Sequence, residues 1–266
     1  MVKRTENRYS QIVEKIFKEK YKEGMKEIAF ERDDLVNTAI ELGIVLPKNL
    51  GDVVYSFRYR SELPDFIRST APEGLSWIIR PTGQSKYTFA LTSMPRIKPN
   101  EMLSETKIPD ATPGIIAKYA VDDEQGLLAK VRYNRLIDIF LGITCYSLQN
   151  HLRTTVKGIG QVETDEIYIG IDKKGIHYIL PVQAKGRADY LGIVQIEQDF
   201  AMCEEKFTGL VCIPVAVQFM KDNLIALFSF EIGDEGVSIS YEKHYRLVSP
   251  DDIKDSDLEA YKNRPL

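Results

Sequence analysis

Hydrophobic residues in the first part of the chain recur mainly at helical spacing. Apolar stripes at intervals of three and four residues predict three helices, over residues 8–22, over residues 34–42 and from residue 49 onward. Two β-rich runs follow, Leu75–Arg80 and Lys86–Leu91, and a short loop that contains glycine separates them. This spacing predicts a β-hairpin after the helices.

The second part of the chain alternates between helical and strand patterns. Apolar positions over residues 125–150 predict one long helix, and a further helix is predicted around residues 189–206. Five segments have the composition of strands: 163–172, 176–185, 209–219, 223–231 and 236–241. The run at 211–217 is apolar throughout, as expected for a strand that is buried on both faces.

A proline-rich connector divides these two parts. Residues 93–115 contain four prolines and no sustained periodicity, which is typical of a linker. We therefore predict a recognition domain over 1–95, a linker over 96–118 and a second domain over 119–266. The first domain, with its helices and hairpin, resembles a winged helix–turn–helix. The predicted fold class is α/β (α+β overall), with an α/β/α second domain built on a mixed sheet.

Composition narrows the class of protein. The chain has 266 residues, of which 44% are hydrophobic and 28% charged, which argues against a disordered, collagen-like or coiled-coil protein. No apolar run approaches the roughly 18 to 20 residues that span a bilayer, so we expect no membrane association. The N-terminus lacks the apolar stretch of a secretory signal. The three cysteines have no CxxC spacing, which disfavours a disulfide framework or structural zinc and favours the cytoplasm.

The charge is distributed unevenly along the chain. Residues 1–100 carry 17 basic and 13 acidic side chains, whereas residues 101–266 carry 18 and 26. The basic excess lies within residues 46–100, which carry eight basic and four acidic side chains, and this favours contact with nucleic acid. Arginine and lysine would contact phosphates, and the exposed helix face would contact base edges. The candidate DNA-binding residues are Tyr55, Arg58, Tyr59, Arg60, Lys86, Arg187 and Gln195.

Acidic and amide side chains converge on the predicted hairpin of 163–185. Because side chains alternate between faces of a strand, Glu163 and Asp165 share one face, and Gln183 and Lys185 share another. With a turn near residue 174, Asp165 falls opposite Gln183 or Lys185. These groups suit metal-assisted phosphodiester hydrolysis, since Mg²⁺ prefers carboxylate, amide and carbonyl oxygens and keeps several waters.

Four residues carry candidate roles in that chemistry. Asp165, the Gln183 side-chain oxygen and the Ala184 backbone carbonyl are the candidate Mg²⁺ ligands. Lys185 would orient the attacking water or neutralise the phosphoryl oxygens.

Asp165 followed by Gln183-Ala184-Lys185 resembles the signature of the PD-(D/E)xK nuclease superfamily in its QxK form. The resemblance covers about residues 120–220. It implies an α/β/α core, an Mg²⁺ cofactor bound by Asp165, and a lysine that assists hydrolysis. With a DNA-reading domain in the same chain, it is similar to type II restriction endonucleases, which cut double-stranded DNA as homodimers.

The sequence departs from the family pattern at two positions. No proline precedes Asp165, and Gln183 stands in place of an acid, so a further carboxylate is expected. Glu163 is the nearest candidate for this additional catalytic and metal-binding group, and Asp138 is a second. The helix with Gln195, Gln198 and Asp199 would flank the site.

Two other interpretations stay open at this stage. A modification-dependent or repair nuclease of the same superfamily would share the site and differ only in substrate. A non-catalytic winged-helix regulator would bind DNA without metal-dependent cleavage, and it would keep its function when Lys185 is replaced by alanine.

Overall fold

The computed structural model describes residues 8–59, 61–121, 123–187, 189–233 and 236–264. The chain forms two compact units. Unit 1 comprises residues up to 97 together with 155–162 and 192–194, and unit 2 comprises 98–154, 163–191 and 195 onward. The fold is α/β and contains a mixed sheet, which confirms the predicted class.

Unit 1 consists of short helices and a three-stranded sheet. In chain order its elements are α1 (Arg8–Lys20), β1 (Glu27–Glu31), α2 (Arg32–Glu41), α3 (Gly51–Tyr59), α4 (Asp65–Ser69), β2 (Ser76–Gly83), β3 (Lys86–Thr92) and β4 (Arg96–Ile97). The strand order β1-β3-β2 is antiparallel throughout. The three predicted helices and the β2–β3 hairpin are present, but β1 lies between α1 and α2, and α4, which is not predicted, precedes the hairpin. Apolar side chains from α1, α3 and the hairpin form its core.

The structure adds a strand that the sequence analysis does not predict. β1 pairs with β3, and its residues alternate between exposed and buried, with Ile28 and Phe30 directed into the core. β1 is only five residues long and charged residues flank it, so its alternation of apolar and polar residues is too short to be recognised as a strand from the sequence.

Unit 2 is built on a larger sheet. The elements from residue 98 onward are β5 (Glu105–Pro109), α5 (Gly114–Tyr119), α6 (Glu124–Tyr133), α7 (Leu136–Leu141), β6 (Thr144–Val156), β7 (Gly160–Ile171), β8 (His177–Lys185), β9 (Leu191–Gly192), α8 (Ile193–Lys206), β10 (Val211–Cys212), β11 (Val215–Phe219), β12 (Leu224–Gly233), β13 (Gly236–Val248) and α9 (Asp255–Lys262). One end of each of β6, β7, β9 and α8 belongs to the residues of unit 1. The main strand order is β5-β13-β12-β11-β8-β7-β6, and β10 also pairs with β8.

The strand pairing puts β8 near the middle of the sheet. β7 and β8 are antiparallel, whereas β8 and β11 are parallel and are connected by α8. The core beside α6 and α7 contains Val182 and Ala184 of β8. The intervening Gln183 is hydrogen-bonded to α8, so helices cover both faces of the strand.

The prediction of a single helix over 125–150 is wrong. Arg135 adopts a left-handed backbone conformation between α6 and α7, with φ of 50°, and Gly142 ends α7 with φ of 66°. Glycine adopts this conformation without steric cost and is typical of helix C-termini. The chain then turns into β6 at Thr144. The apolar spacing on either side of these breaks stays helical, so periodicity alone does not reveal them.

The proline-rich connector also contains a strand. β5 lies within it and pairs in parallel with β13, at one edge of the sheet. α9 covers this edge, because the Lys107 backbone N–H donates to the Tyr261 hydroxyl at 2.9 Å and the Lys107 ammonium lies 2.9 Å from Asp257. Charge and proline, rather than apolar content, dominate the sequence of this edge strand.

Pro181 lies inside β8, opposite Ile167 of β7, without a bulge at that point. On its other side the parallel partner is interrupted: β10 ends at Cys212 and β11 begins at Val215. The predicted strand over 209–219 is therefore two strands. Pro181, which lacks a backbone N–H, lies opposite this interruption, where no strand partner requires that donor.

In the described residues, no helix combines the length and apolar character that a membrane span requires.

Candidate functional site

Asp165 lies against the backbone of β8. Its carboxylate accepts a hydrogen bond from the backbone N–H of Ala184 at 2.8 Å, and the side chain is half-buried. Ala184 is flanked by Gln183 and Lys185, so one hydrogen bond joins the acidic residue to the centre of the Gln-Ala-Lys triplet. The β7–β8 pairing runs as far as Glu166 opposite Val182, next to these residues, while the side-chain bonds of Gln183 and Lys185 lead to α8 and α6.

Gln183 points toward α8 and is only 2% exposed. Its amide nitrogen donates to both carboxylate oxygens of Asp199, at 3.2 and 3.0 Å, and to the backbone oxygen of Glu163 at 3.1 Å. Its side-chain oxygen accepts from the Gln195 amide at 3.3 Å. The orientation of the Gln183 amide is therefore fixed from both ends.

Asp199 is the most deeply buried acid of this group, with no exposed surface. The hydroxyl of Thr164 donates to it at 2.5 Å, in addition to the Gln183 amide. The pKa of Asp199 is raised to about 7, mainly by burial and to a smaller extent by the nearby charge of Asp165. The two hydrogen bonds and the charge of Lys185 lower it in part. Sequence analysis places Asp199 on the flanking helix without assigning it a partner.

Lys185 is paired with an acid that the sequence analysis does not single out. Its ammonium lies 3.1 Å from the carboxylate of Glu124, the first residue of α6, and the lysine side chain is 15% exposed. Glu124 follows Asp123, whose side chain caps the helix by accepting from the Gly126 N–H at 2.8 Å. Glu124 precedes Lys185 by 61 residues, so no local motif links them.

The start of α6 depends on a close backbone approach at Gly126. A Cβ atom at this position would lie 1.8 Å from the backbone oxygen of Val121. No ordinary side chain fits that space. Glycine here permits the turn that carries Glu124 to Lys185.

The two candidates for an additional ligand differ in position. The side chain of Glu163 is 42% exposed and forms an ion pair with Arg153 at 2.8 Å, while its backbone oxygen contacts Gln183. Asp138 accepts from the Cys145 N–H at 2.9 Å and pairs with Arg135. The contacts of Asp138 thus belong to the turn between α7 and β6, whereas Glu124 contacts the site itself.

The predicted DNA-binding residues of unit 1 lie on α3 and the hairpin. Tyr55 is 43% exposed, and Arg58 is half-buried. Tyr59 ends α3, and its side chain lies outside the described residues, as does Arg60. The Lys86 ammonium lies 3.6 Å from Glu31.

The two remaining predicted DNA contacts lie in unit 2. Arg187 is exposed and donates to the Met220 backbone oxygen at 3.3 Å and to the Asn223 side chain at 2.9 Å. Gln195 is half-buried and contacts Gln183. This contact with Gln183 associates Gln195 with the candidate site.

The donors gathered around β8 are oxygens. Carboxylates of Asp165 and Glu124, the Gln183 amide and the Ala184 carbonyl suit a hard cation such as Mg²⁺ that keeps part of its water shell. In the part of the chain that the structure describes, no group of three or more His, Cys, Asp or Glu residues forms a ready metal cluster. A cation held here would therefore rely on amide, carbonyl and water oxygens beside the carboxylates.

Comparisons of this chain with protein-family models, with curated proteins and with solved structures find no match.

Proposed function

We propose that this protein is an Mg²⁺-dependent endonuclease that hydrolyses phosphodiester bonds of double-stranded DNA. The observation that carries the proposal is the hydrogen bond between Asp165 and the backbone of Ala184, which brings the acidic residue against the Gln-Ala-Lys triplet. The surrounding elements support it, because the antiparallel strands β7 and β8 follow α6 and α7, and α8 then leads to β11, which pairs in parallel with β8; this suits the α/β/α core that the PD-(D/E)xK resemblance implies.

Each residue has a role in this proposal. Asp165, the oxygen of Gln183 and the carbonyl of Ala184 would hold Mg²⁺, with Glu163 as the further acidic candidate. Bound Mg²⁺ would neutralise phosphate charge and lower the pKa of a coordinated water. Lys185, held by Glu124, would stabilise negative charge that develops on the phosphoryl oxygens. Asp199 would keep the Gln183 amide in one orientation.

Unit 1 would bind the same DNA. α3 presents Tyr55, and the strand at the end of the hairpin loop presents Lys86, both on the surface. We further propose that cleavage is sequence-specific, as in type II restriction endonucleases, and that the enzyme acts as a homodimer, since two sites are needed to cut two strands of a palindrome.

Plasmid and phage DNA, each methylated and unmethylated, would be incubated with the purified protein in Mg²⁺ or in EDTA. We expect discrete DNA fragments in Mg²⁺ and intact DNA in EDTA. Asp165→Asn and Lys185→Gln should each lower the rate of cleavage by at least about 100-fold. Lys174→Gln is the matched control, because Lys174 is exposed at the turn between β7 and β8. Circular dichroism checks that each variant is folded.

Two results would contradict the proposal in different ways. Cleavage that persists in both site variants means that the active site lies elsewhere in the chain. DNA that is bound but stays intact on every substrate means that the protein is a non-catalytic regulator.

A further inference from the structure

The segment of β6 over residues 146–154, here called the β6 segment, is exposed to an unusual degree for a strand of the main sheet. Six consecutive residues, from Tyr146 to His151, are exposed on both faces of the strand. β6 is the last strand in the sheet order, so β7 borders it on one side within the described residues. The segment is thus an edge strand that is exposed on both faces, next to β7, which is buried on both faces over Glu166–Tyr168.

Side-chain hydrogen bonds hold the β6 segment against β7 and α6. Ser147 donates to Glu166 of β7 at 2.5 Å, and Arg132 of α6 donates to the same carboxylate at 2.8 Å. Arg132 also donates to the Asn150 side chain at 3.2 Å. Glu166 has no exposed surface, so these bonds form at a buried point. They fix the exposed segment relative to α6.

The charge of this region differs from that of its surroundings. Residues 139–162 contain no Asp or Glu, although the acidic content of residues 101–266 would place about four in a stretch of this length. The exposed side chains of the β6 segment include amides, a hydroxyl, His151 and Arg153, beside the larger Tyr146 and Leu148. Such a surface suits a polyanion whose base edges donate and accept hydrogen bonds.

The backbone at His151 supports a recognition role. Its φ of 50° lies in the left-handed region, which is uncommon for residues other than glycine. Irregularities of this kind in strands re-aim side chains and occur next to functional sites. The candidate site is close, because Arg153 pairs with Glu163, two residues or about 7 Å along β7 from Asp165.

We infer that the β6 segment enters the major groove of double-stranded DNA, where Arg153 contacts phosphate and Gln149 and His151 contact base edges. This inference rests on the proposed nuclease function and names the element that selects the sequence. The B-form major groove, about 12 Å wide, presents a distinct pattern of donors and acceptors at each base pair, whereas the major groove of A-form RNA is too deep and narrow for side chains to read. A double-stranded DNA partner is therefore favoured over RNA.

The experiment measures DNA binding separately from cleavage. Wild type and variants are titrated against short duplexes in EDTA by fluorescence anisotropy over a range of NaCl concentrations. Arg153→Gln should weaken binding and reduce the slope of log K against log salt by about 0.9, and Arg153→Lys should restore it. Lys174→Gln removes one exposed charge at the far end of β7 and should leave binding unchanged.

Sequence preference is then measured by selection from a pool of random duplexes. Gln149→Ala or His151→Ala should lose about 5- to 150-fold discrimination at one base pair while keeping the preference at the others. All these side chains are exposed, and melting curves check that the variants fold as wild type does.

Three outcomes would overturn the inference. If wild type binds and cleaves DNA but the Arg153, Gln149 and His151 variants keep its affinity, salt slope and preference, the β6 segment does not read DNA and the nuclease proposal stands. If those variants change only the oligomeric state, measured by ultracentrifugation, the segment contacts a second copy instead. If wild type neither binds nor cleaves DNA, the nuclease proposal and this inference fail together.

Discussion

Asp199→Asn should remove a specific pH dependence from the stability of unit 2. The Asp199 carboxylate has a pKa of about 7 in the folded chain, against an ordinary value of 3.8. Because the folded pKa is the higher one, folding takes up a proton between these values. The contribution of protonated Asp199 to the free energy of unfolding is therefore complete below about pH 4, and it is lost as the pH rises through 7.

The size of the effect follows from the two pKa values. The rise in the pKa of Asp199 from 3.8 to about 7 lowers the free energy of unfolding by about 4 kcal/mol above pH 7, relative to its value at low pH. About 2.5 kcal/mol of this is lost between about pH 5 and about pH 8. Asn is isosteric and does not titrate, but it keeps only one acceptor for Thr164 and Gln183. The free energy of unfolding of the Asp199→Asn variant is thus lowered by a pH-independent amount. The slope of this free energy against pH, rather than its value, tests the prediction.

The assay follows unfolding in urea at several pH values, in EDTA so that no cation occupies the site. Because the single tryptophan, Trp77, lies in unit 1, hydrogen exchange of peptides from β8 and α8 is the suitable probe for this sheet. Asp189→Asn, which changes an exposed carboxylate, is the control. If wild type and Asp199→Asn respond to pH in parallel, the carboxylate is ionised throughout and the reasoning from burial is wrong.

Three further predictions concern the scaffold around the site. Arg132→Ala should lower the free energy of unfolding by about 3 kcal/mol, because it leaves the fully buried carboxylate of Glu166 without its cation; urea titration measures this. Gly126→Ala should destabilise unit 2 by about 1–3 kcal/mol and displace the start of α6, whereas Gly114→Ala, whose Cβ would meet open space, should be nearly neutral. Cys145, whose pKa is raised to about 12 by burial, should resist alkylation in the folded chain and react in urea, as followed by mass spectrometry.

Controls separate these effects from general sensitivity to substitution. Arg135→Ala removes a partner on the protein surface and should cost no more than about 1 kcal/mol. Equal losses for Arg132→Ala and Arg135→Ala would refute the role of burial. A Gly126→Ala variant with wild-type stability would mean that the approach to Val121 relaxes without cost. Alkylation of Cys145 in the folded chain at the rate seen in urea would mean that this thiol is accessible.

Local patterns predict most of the elements, and they fail where the backbone conformation is decided by one or two residues. The helices of unit 1 and the β7–β8 hairpin follow from apolar spacing and turn residues. The break at Arg135 does not, because arginine is rarely left-handed and the surrounding apolar spacing stays helical. β5 is missed since prolines and charges dominate its sequence.

The site is predictable only where its residues lie on adjacent strands. The proximity of Asp165 to the Gln-Ala-Lys triplet is expected from the hairpin, because the two segments adjoin the pair formed by Glu166 and Val182. Glu124 comes from a helix that precedes the hairpin, and its contact with Lys185 depends on how that helix packs on the sheet. The bond from Gln183 to Asp199 depends in the same way on α8, so a single sequence does not reveal it.

The pairing of β5 with β13 has a consequence for the order in which the chain assembles during synthesis. Glu105 is opposite His244, so the strand made first in this sheet must wait for the strand made last. At about 5–20 residues per second, this delay amounts to roughly 7–30 s on the ribosome. Until then β5 lacks the strand with which it pairs. The elements of the candidate site, from α6 to α8, are all synthesised before this last edge can close.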